Sequence, residues 1–220
     1  MLTTELINHS IPRLQLQDTV GKALQLLNDF RLTHLPVMTD GKYLGLVSES
    51  DLLDAENEQM PVALLQETFI TRAIGGSEHF LAAVNFSNQY ETSTVPVVNE
   101  ERELAGVITT TNLLKALGDF SGANSIGGII VLEMERVKFA ISEISRIVES
   151  NDATILHLNT TTDEKTGMLS VTIHLNKKDV ATIVASFERY EYNIVYSFGD
   201  KKFESVIHTN FLHLMNYLDI

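Results

Sequence analysis

The chain has 220 residues, 44% of them hydrophobic, with a formal net charge of −13 and no cysteine. This length allows two domains of ordinary size, and the lack of cysteine excludes disulfides, thiolate nucleophiles and cysteine-ligated metals. The acid excess makes the chain a poor candidate for nucleic-acid binding, because phosphate neutralisation needs clustered Lys and Arg, and we predict no nucleic-acid partner.

The first residues carry neither a basic flank nor an apolar run of signal-peptide length. No stretch of the sequence approaches the ~18 apolar residues of a membrane span. We therefore predict a cytoplasmic protein that does not use a membrane as a partner.

The first part of the chain predicts one β-α-β-β-α unit, over residues 8–56. Its first helix has apolar residues at a helical period, and Thr19 is a suitable N-cap. Two later strands flank the turn Thr39-Asp40-Gly41-Lys42 and form a hairpin. The predicted elements are strand 11–16, helix 18–30, strand 34–38, strand 43–48 and helix 50–55.

The same pattern returns about 60 residues later, which predicts a second unit over residues 66–118. Gly45–Leu53 (GLVSESDLL) is matched by Gly106–Leu114 (GVITTTNLL), and the segment around Pro36 is matched by the one around Pro96. Each copy predicts a strand that ends in a hydroxyl residue, with an acid or amide three residues later in the first turn of a helix. The repeat therefore predicts two similar units.

On these residues, the two units resemble a tandem pair of CBS domains, also called a Bateman module, over residues 1–118. The resemblance implies pseudo-two-fold symmetry and a cleft for an adenosine-containing ligand (AMP, ADP, ATP or S-adenosylmethionine). Asp51 would hold the ribose and Ser48 would lie near the phosphate. The candidate ligand-binding residues are Ser48, Asp51, Thr109, Asn112, Pro36 and Pro96.

A purely structural role explains the same motif. Ser48 can cap the helix, and Asp51 in its first turn is favourable with the helix dipole. In the second copy Asn112 replaces the acid, and an amide brings no charge to a ribose site. If a nucleotide binds, we expect it in the cleft of Ser48 and Asp51.

Residues 119–127 are rich in Gly, Ser and Asn and predict a linker. Beyond them the periods predict a β-α-β-β-α-β order over residues 128–199, which is the ferredoxin-like split βαβ fold. This part resembles a divergent ACT domain, and residues 200–220 predict a C-terminal helix. The predicted fold class is α+β, and the resemblance implies a homodimer.

The sequence contains no constellation of nucleophile, base and oxyanion partner, so we predict no catalytic residues, no resident cofactor and no metal site. The seven histidines do not cluster, and we predict that they lie on the surface. We predict a non-enzymatic regulatory protein similar to acetoin-utilisation accessory proteins. The alternative is a ligand-free structural module that acts on a partner enzyme or transporter.

Overall fold

The computed structural model describes residues 1–199, and the chain divides into two compact units, Met1–Gly118 and Asp119–Ile220. The helix predicted over residues 200–220 lies outside the described residues. The fold class is mixed α+β, as predicted.

The first repeat of unit 1 is built on a three-stranded sheet. Its helix α1 begins after Thr19, whose side chain accepts a hydrogen bond from the Lys22 N–H. The strand order is β1-β2-β3, with β1 parallel to β2 and β2 antiparallel to β3. The elements are β1 (Leu14–Gln15), α1 (Val20–Phe30), β2 (His34–Thr39), β3 (Lys42–Ser48) and α2 (Glu49–Leu53).

The second repeat has the same order of elements and the same strand directions. Val37 pairs with Gly45 in the first repeat, and Val97 pairs with Gly106 in the second. The register shifts directly after each of these pairs. The elements are β4 (Ile74–Gly75), α3 (Phe80–Tyr90), β5 (Thr94–Val98), β6 (Leu104–Thr109) and α4 (Thr110–Ser121).

Each repeat is completed by a segment that precedes the other repeat in the sequence. Leu46 of β3 exchanges backbone hydrogen bonds with Ile70, and Val107 of β6 pairs with Asn8 in the equivalent bridge. We call residues 1–9 and 60–70 the exchanged arms. Each arm contains a short 3-10 helix, at Thr3–Leu6 and Val62–Thr68.

Two glycines allow the arms to lie against the sheets. A Cβ atom on Gly45 would lie 2.7 Å from the Cβ of Phe69, and one on Gly106 would overlap the Cγ2 atom of Ile7. Gly45 and Gly106 thus occupy matching environments, as expected of two related units. Because each arm pairs with the repeat that it does not directly precede, the two repeats form one compact unit, Met1–Gly118.

Unit 2 contains a four-stranded antiparallel sheet in the order β10-β7-β9-β8. Buried residues alternate along β7 and pack with apolar residues of both helices in one core, so helices cover one face of the sheet. The elements are β7 (Gly128–Met134), α5 (Ile141–Glu149), β8 (Ile155–Thr162), β9 (Leu169–Leu175), α6 (Ala181–Arg189) and β10 (Asn193–Phe198).

Two boundaries differ from the prediction. Helix α4 continues to Ser121, so the stretch predicted as a linker begins inside a helix. In the sequence the apolar period that predicts α5 starts at Val137, but the helix begins only at Ile141. Val137 lies in a 3-10 turn and is 88% exposed, because the backbone before Ala140 is not α-helical and does not direct this side chain into the core.

Candidate functional site

Ser48 and Asp51 lie where β3 passes into α2. The Ser48 hydroxyl accepts a hydrogen bond from the Asp51 N–H at 3.0 Å, so Ser48 is the N-cap of α2. The same hydroxyl group lies 2.6 Å from Asp51 Oδ2, to which it donates. The capping role is therefore present in the structure, and the other carboxylate oxygen of Asp51 has no hydrogen bond within the described residues.

These two side chains line a cavity of about 490 Å³ within unit 1. Repeat one supplies most of the wall, the arm supplies Ile70, and the end of α3 supplies Tyr90 and Glu91. We call this cavity the first cleft. Its remaining lining residues are Thr33, His34, Glu49 and Ser50.

His34, the first residue of β2, is a buried titratable group in the wall of the first cleft. Its Nδ1 lies 2.8 Å from the Thr33 hydroxyl, and only 8% of the residue is exposed. Burial lowers the pKa of His34 below its ordinary value of 6.5, and the charge of Asp51 opposes this shift only in part. The imidazole is therefore neutral at pH 7.

The equivalent position in the second repeat is already engaged by an arm. Thr109 donates to Asn112 Oδ1 at 2.7 Å, which repeats the Ser48–Asp51 contact. The Asn112 Nδ2 group donates to the Leu6 carbonyl at 3.1 Å. Both ends of the amide are thus occupied by hydrogen bonds within the protein.

Pro36 and Pro96 are buried in β2 and β5, where they pair with Leu46 and Val107. Neither proline is among the residues that line the first cleft. Each lies in a strand where it packs into the core. The structure brings Ser48 and Asp51 together at a cavity, but it does not bring the prolines to that cavity.

The repeated motif indicates Ser48 and Asp51 but not the other residues that line the first cleft. Our prediction of surface histidines is wrong for His34 and His174, each 8% exposed, because both lie on strands that pack into a core. Tyr90 and Glu91 lie in the other repeat, so no local spacing connects them with Ser48. The sequence signal that could have found them is the pseudo-two-fold repeat, because such a pairing of repeats places the end of α3 beside the Ser48–Asp51 motif.

Unit 2 contains a separate cavity of about 460 Å³ beside the loop between β7 and α5. Tyr192 lines it and donates a hydrogen bond to Glu143 at 2.8 Å. Burial, followed by this hydrogen bond, raises the pKa of Tyr192 to about 12. The contact fastens α5 to the start of β10, which is a structural role for these residues.

The described part of the chain, residues 1–199, contains no group of three or more His, Cys, Asp or Glu side chains placed to hold a metal ion. Over the same range no helix combines the length and the apolar character that crossing a membrane requires.

Two β-α-β-β-α repeats with a cleft at the strand-to-helix junction define unit 1 as a tandem-repeat module. The CBS domain family matches residues 4–58 and 80–119, so the chain contains a CBS domain pair. CBS domain pairs are in general regulatory and not catalytic. The recognition made from the two repeated motifs is confirmed.

A curated relative, the homoserine O-acetyltransferase of Methanobrevibacter ruminantium, is 26% identical over 120 residues, which are 53% of this chain. The chain spans only about a quarter, 24%, of the length of that relative.

Solved structures similar to this chain include proteins with CBS domains. A CBS domain pair/ACT domain protein from Thermotoga maritima has a TM-score of 0.49 and 20% identity, over 55% of this chain and 98% of that one. A Vibrio cholerae structure named for acetoin utilization has a TM-score of 0.47 and 20% identity, over 56% and 95%. A CBS domain pair solved with 5'-methylthioadenosine and S-adenosyl-L-methionine has a TM-score of 0.45 and 20% identity, over 55% and 98%.

Proposed function

We propose that this chain is a non-enzymatic regulatory protein of the cytoplasm that binds an adenosine-containing ligand in the first cleft. The observation that carries the proposal is the position of the Asp51 carboxylate. It faces a cavity of about 490 Å³, and one of its oxygens accepts no hydrogen bond within the described residues. A carboxylate in that position can accept hydrogen bonds from the two neighbouring hydroxyls of a ribose.

The other walls of the first cleft suit a nucleoside. Ile70 and the ring of Tyr90 supply apolar surface on which a base can lie, and Tyr90 is held by the ring of Phe86 at a centroid distance of 4.7 Å. Pockets for small molecules combine such apolar walls with a few placed polar groups. CBS domain pairs bind adenosine ligands, which supports the same class of ligand.

We further propose that unit 2 is an ACT-like domain through which two copies of the chain associate. Its ferredoxin-like sheet supports this part, because β10 forms an edge of the sheet with exposed aromatic side chains. An exposed, apolar edge strand is commonly paired with another chain.

The test of ligand binding is a thermal-shift panel of AMP, ADP, ATP, adenosine and S-adenosylmethionine. A ligand at 100 times its dissociation constant adds about 2.7 kcal/mol to the free energy of unfolding, enough to raise the melting temperature by several degrees. If no adenosine compound shifts the melting temperature at millimolar concentration, the ligand proposal is wrong.

The alternative function, a ligand-free module that acts on a partner enzyme or transporter, rests on a different observation. Ser48 and Asp51 satisfy each other as a helix cap without any ligand. A null result in the thermal-shift panel favours this alternative.

A further inference from the structure

The charged groups that line the first cleft are all acidic. Glu49 and Asp51 come from the start of α2, and Glu91 comes from the end of α3 in the other repeat. No Lys or Arg lines this cavity. Among residues 1–199 none of the three carboxylates has an ion-pair partner within 4.0 Å, since the ion pairs found there involve other acids.

The remaining lining groups do not offset these charges. His34 is neutral at pH 7 because burial lowers its pKa. Within residues 1–199 these carboxylates belong to no group of three or more side chains that could hold a metal ion by themselves. A phosphate in the first cleft would therefore face like charges and no basic side chain.

Two of the three first-turn backbone donors of α2, a kind of group that commonly binds phosphate, are also engaged. At the start of α2 the Glu49 N–H donates to the Thr33 carbonyl at 2.8 Å. The Asp51 N–H donates to the Ser48 hydroxyl at 3.0 Å. Helix N-termini bind anions through free N–H groups, and of this turn only the Ser50 N–H has no hydrogen-bond partner within the described residues.

The fold itself does not impose this acidity, because the second repeat differs at the same positions. Arg31 and Glu91 are equivalent left-handed residues at the ends of α1 and α3, with φ angles of 53° and 52°. Thr110 stands where the first repeat has Glu49, and Asn112 stands where it has Asp51. The acids of the first cleft are therefore not repeated at the equivalent positions of the second repeat.

We propose, on the basis of the function proposed above, that the first cleft selects adenosine compounds whose 5' substituent carries a positive charge or none, and that it rejects 5' phosphates. A sulfonium or ammonium group on the 5' substituent would be attracted by the carboxylates of Glu49 and Glu91 that line the cleft. This proposal replaces the phosphate role that the family resemblance implies for Ser48.

The test is titration calorimetry of the full chain with adenosine, S-adenosylmethionine, S-adenosylhomocysteine, AMP and ATP, the last with and without Mg²⁺. The two S-adenosyl compounds differ by one methyl group and its positive charge on sulfur. We expect S-adenosylmethionine to bind tightest, and AMP to bind at least about tenfold more weakly than adenosine, since like charges a few ångströms apart repel by over a kilocalorie at intermediate dielectric.

Charge-neutral variants identify the groups responsible. Glu91→Gln and Glu49→Gln should each raise the affinity for AMP and lower the preference for S-adenosylmethionine over S-adenosylhomocysteine. Glu101→Gln removes the same charge from an exposed turn that does not line the cavity, and it should leave all affinities unchanged.

The outcomes separate this inference from the proposed function. Binding of AMP or ATP as tight as that of S-adenosylmethionine, with or without Mg²⁺, would overturn the charge selection and leave the adenosine site standing. If none of the five compounds binds, both proposals are wrong. Tightest binding of S-adenosylmethionine that weakens in Glu91→Gln supports both.

Discussion

The carboxylate of Asp51 is the residue on which the ligand proposal depends. Asp51→Asn should abolish measurable adenosine binding, because a hydrogen bond to a charged acceptor contributes about 1.5–3 kcal/mol against roughly 1 for a neutral pair. The second repeat shows that the fold accepts the amide, since Thr109 and Asn112 make the same contact. The melting temperature without ligand should therefore stay within about two degrees.

Titration calorimetry of wild type and Asp51→Asn with an adenosine compound measures the loss of affinity. Asp54→Asn, an exposed acid at the other end of the same helix, is the matched control and should bind as wild type. Equal affinity of wild type and Asp51→Asn would show that Asp51 is only a helix-end residue.

His34 makes the stability of the protein depend on pH. Its pKa is lowered in the folded state, so below the ordinary value of 6.5 the unfolded chain binds a proton that the folded chain does not. The folded state therefore loses stability as the pH falls through 6.5 towards the lower folded pKa, and it keeps this contribution above 6.5.

The His34→Gln variant keeps a side chain that can hydrogen-bond Thr33 but cannot titrate. Urea unfolding at about pH 7.5 and about pH 5.5 should show a smaller loss of stability in this variant than in wild type. Identical losses in the two proteins would assign the pH dependence to other groups.

At the scale of elements, the contact between the first arm and β6 depends on a glycine. Gly106→Ala would force its Cβ into Ile7, and we expect a loss of about 1–3 kcal/mol in the free energy of unfolding. Ile7→Ala alone should cost less than the loss of a fully buried isoleucine, because Ile7 is only half-buried.

The double variant tests whether the arm is the cause. Removing the Ile7 side chain makes room for the new methyl group, so Gly106→Ala with Ile7→Ala should be more stable than the sum of the two losses predicts. Denaturant midpoints of wild type, the two single variants and the double variant give the coupling free energy between the two substitutions. Strict additivity would mean that the arm does not pack on Gly106 as described.

The elements of both units could be predicted from sequence periods, while their terminal residues and the arms could not. Helix α1 follows from the helical spacing of its apolar residues after the Thr19 cap, and strand β9 follows from the alternation of its buried residues after a polar turn. The arm residues Ile7 and Asn8 carry no period, and their partners lie far along the chain. The motif predicted Ser48 and Asp51, but the opposite wall at Tyr90 and Glu91 depends on how two repeats pack, which local spacing does not contain.

At the scale of the whole molecule, we expect a homodimer that forms through unit 2. Tyr196 and Phe198 on the edge strand β10 are 60% and 59% exposed, and their rings stack at 6.1 Å. They lie opposite Val131 and Ile129 of β7, so an apolar strip follows this edge. Within residues 1–199 β10 pairs with β7 alone, and a second copy would remove the strip from water and pair the other side of β10.

Light scattering at micromolar concentration should give twice the chain mass of 24.5 kDa. Tyr196→Glu with Phe198→Glu should give the mass of one chain. Leu114, 72% exposed on α4 in unit 1, provides the matched control, and Leu114→Glu should leave the dimer intact. Dissociation by Leu114→Glu alone would place the interface on unit 1 instead.

The exchanged arms also set an order of events during synthesis. All strands of the first repeat, and the arm that pairs with it, have been synthesised once residue 70 has left the ribosome. The second repeat is different, because its residue Val107 pairs with Asn8, which was synthesised roughly a hundred residues earlier. The first arm therefore stays without its partner strand while the intervening chain is translated. Slower emergence of residues 71–107 would prolong the time for which Ile7 is open to solvent and to chaperones.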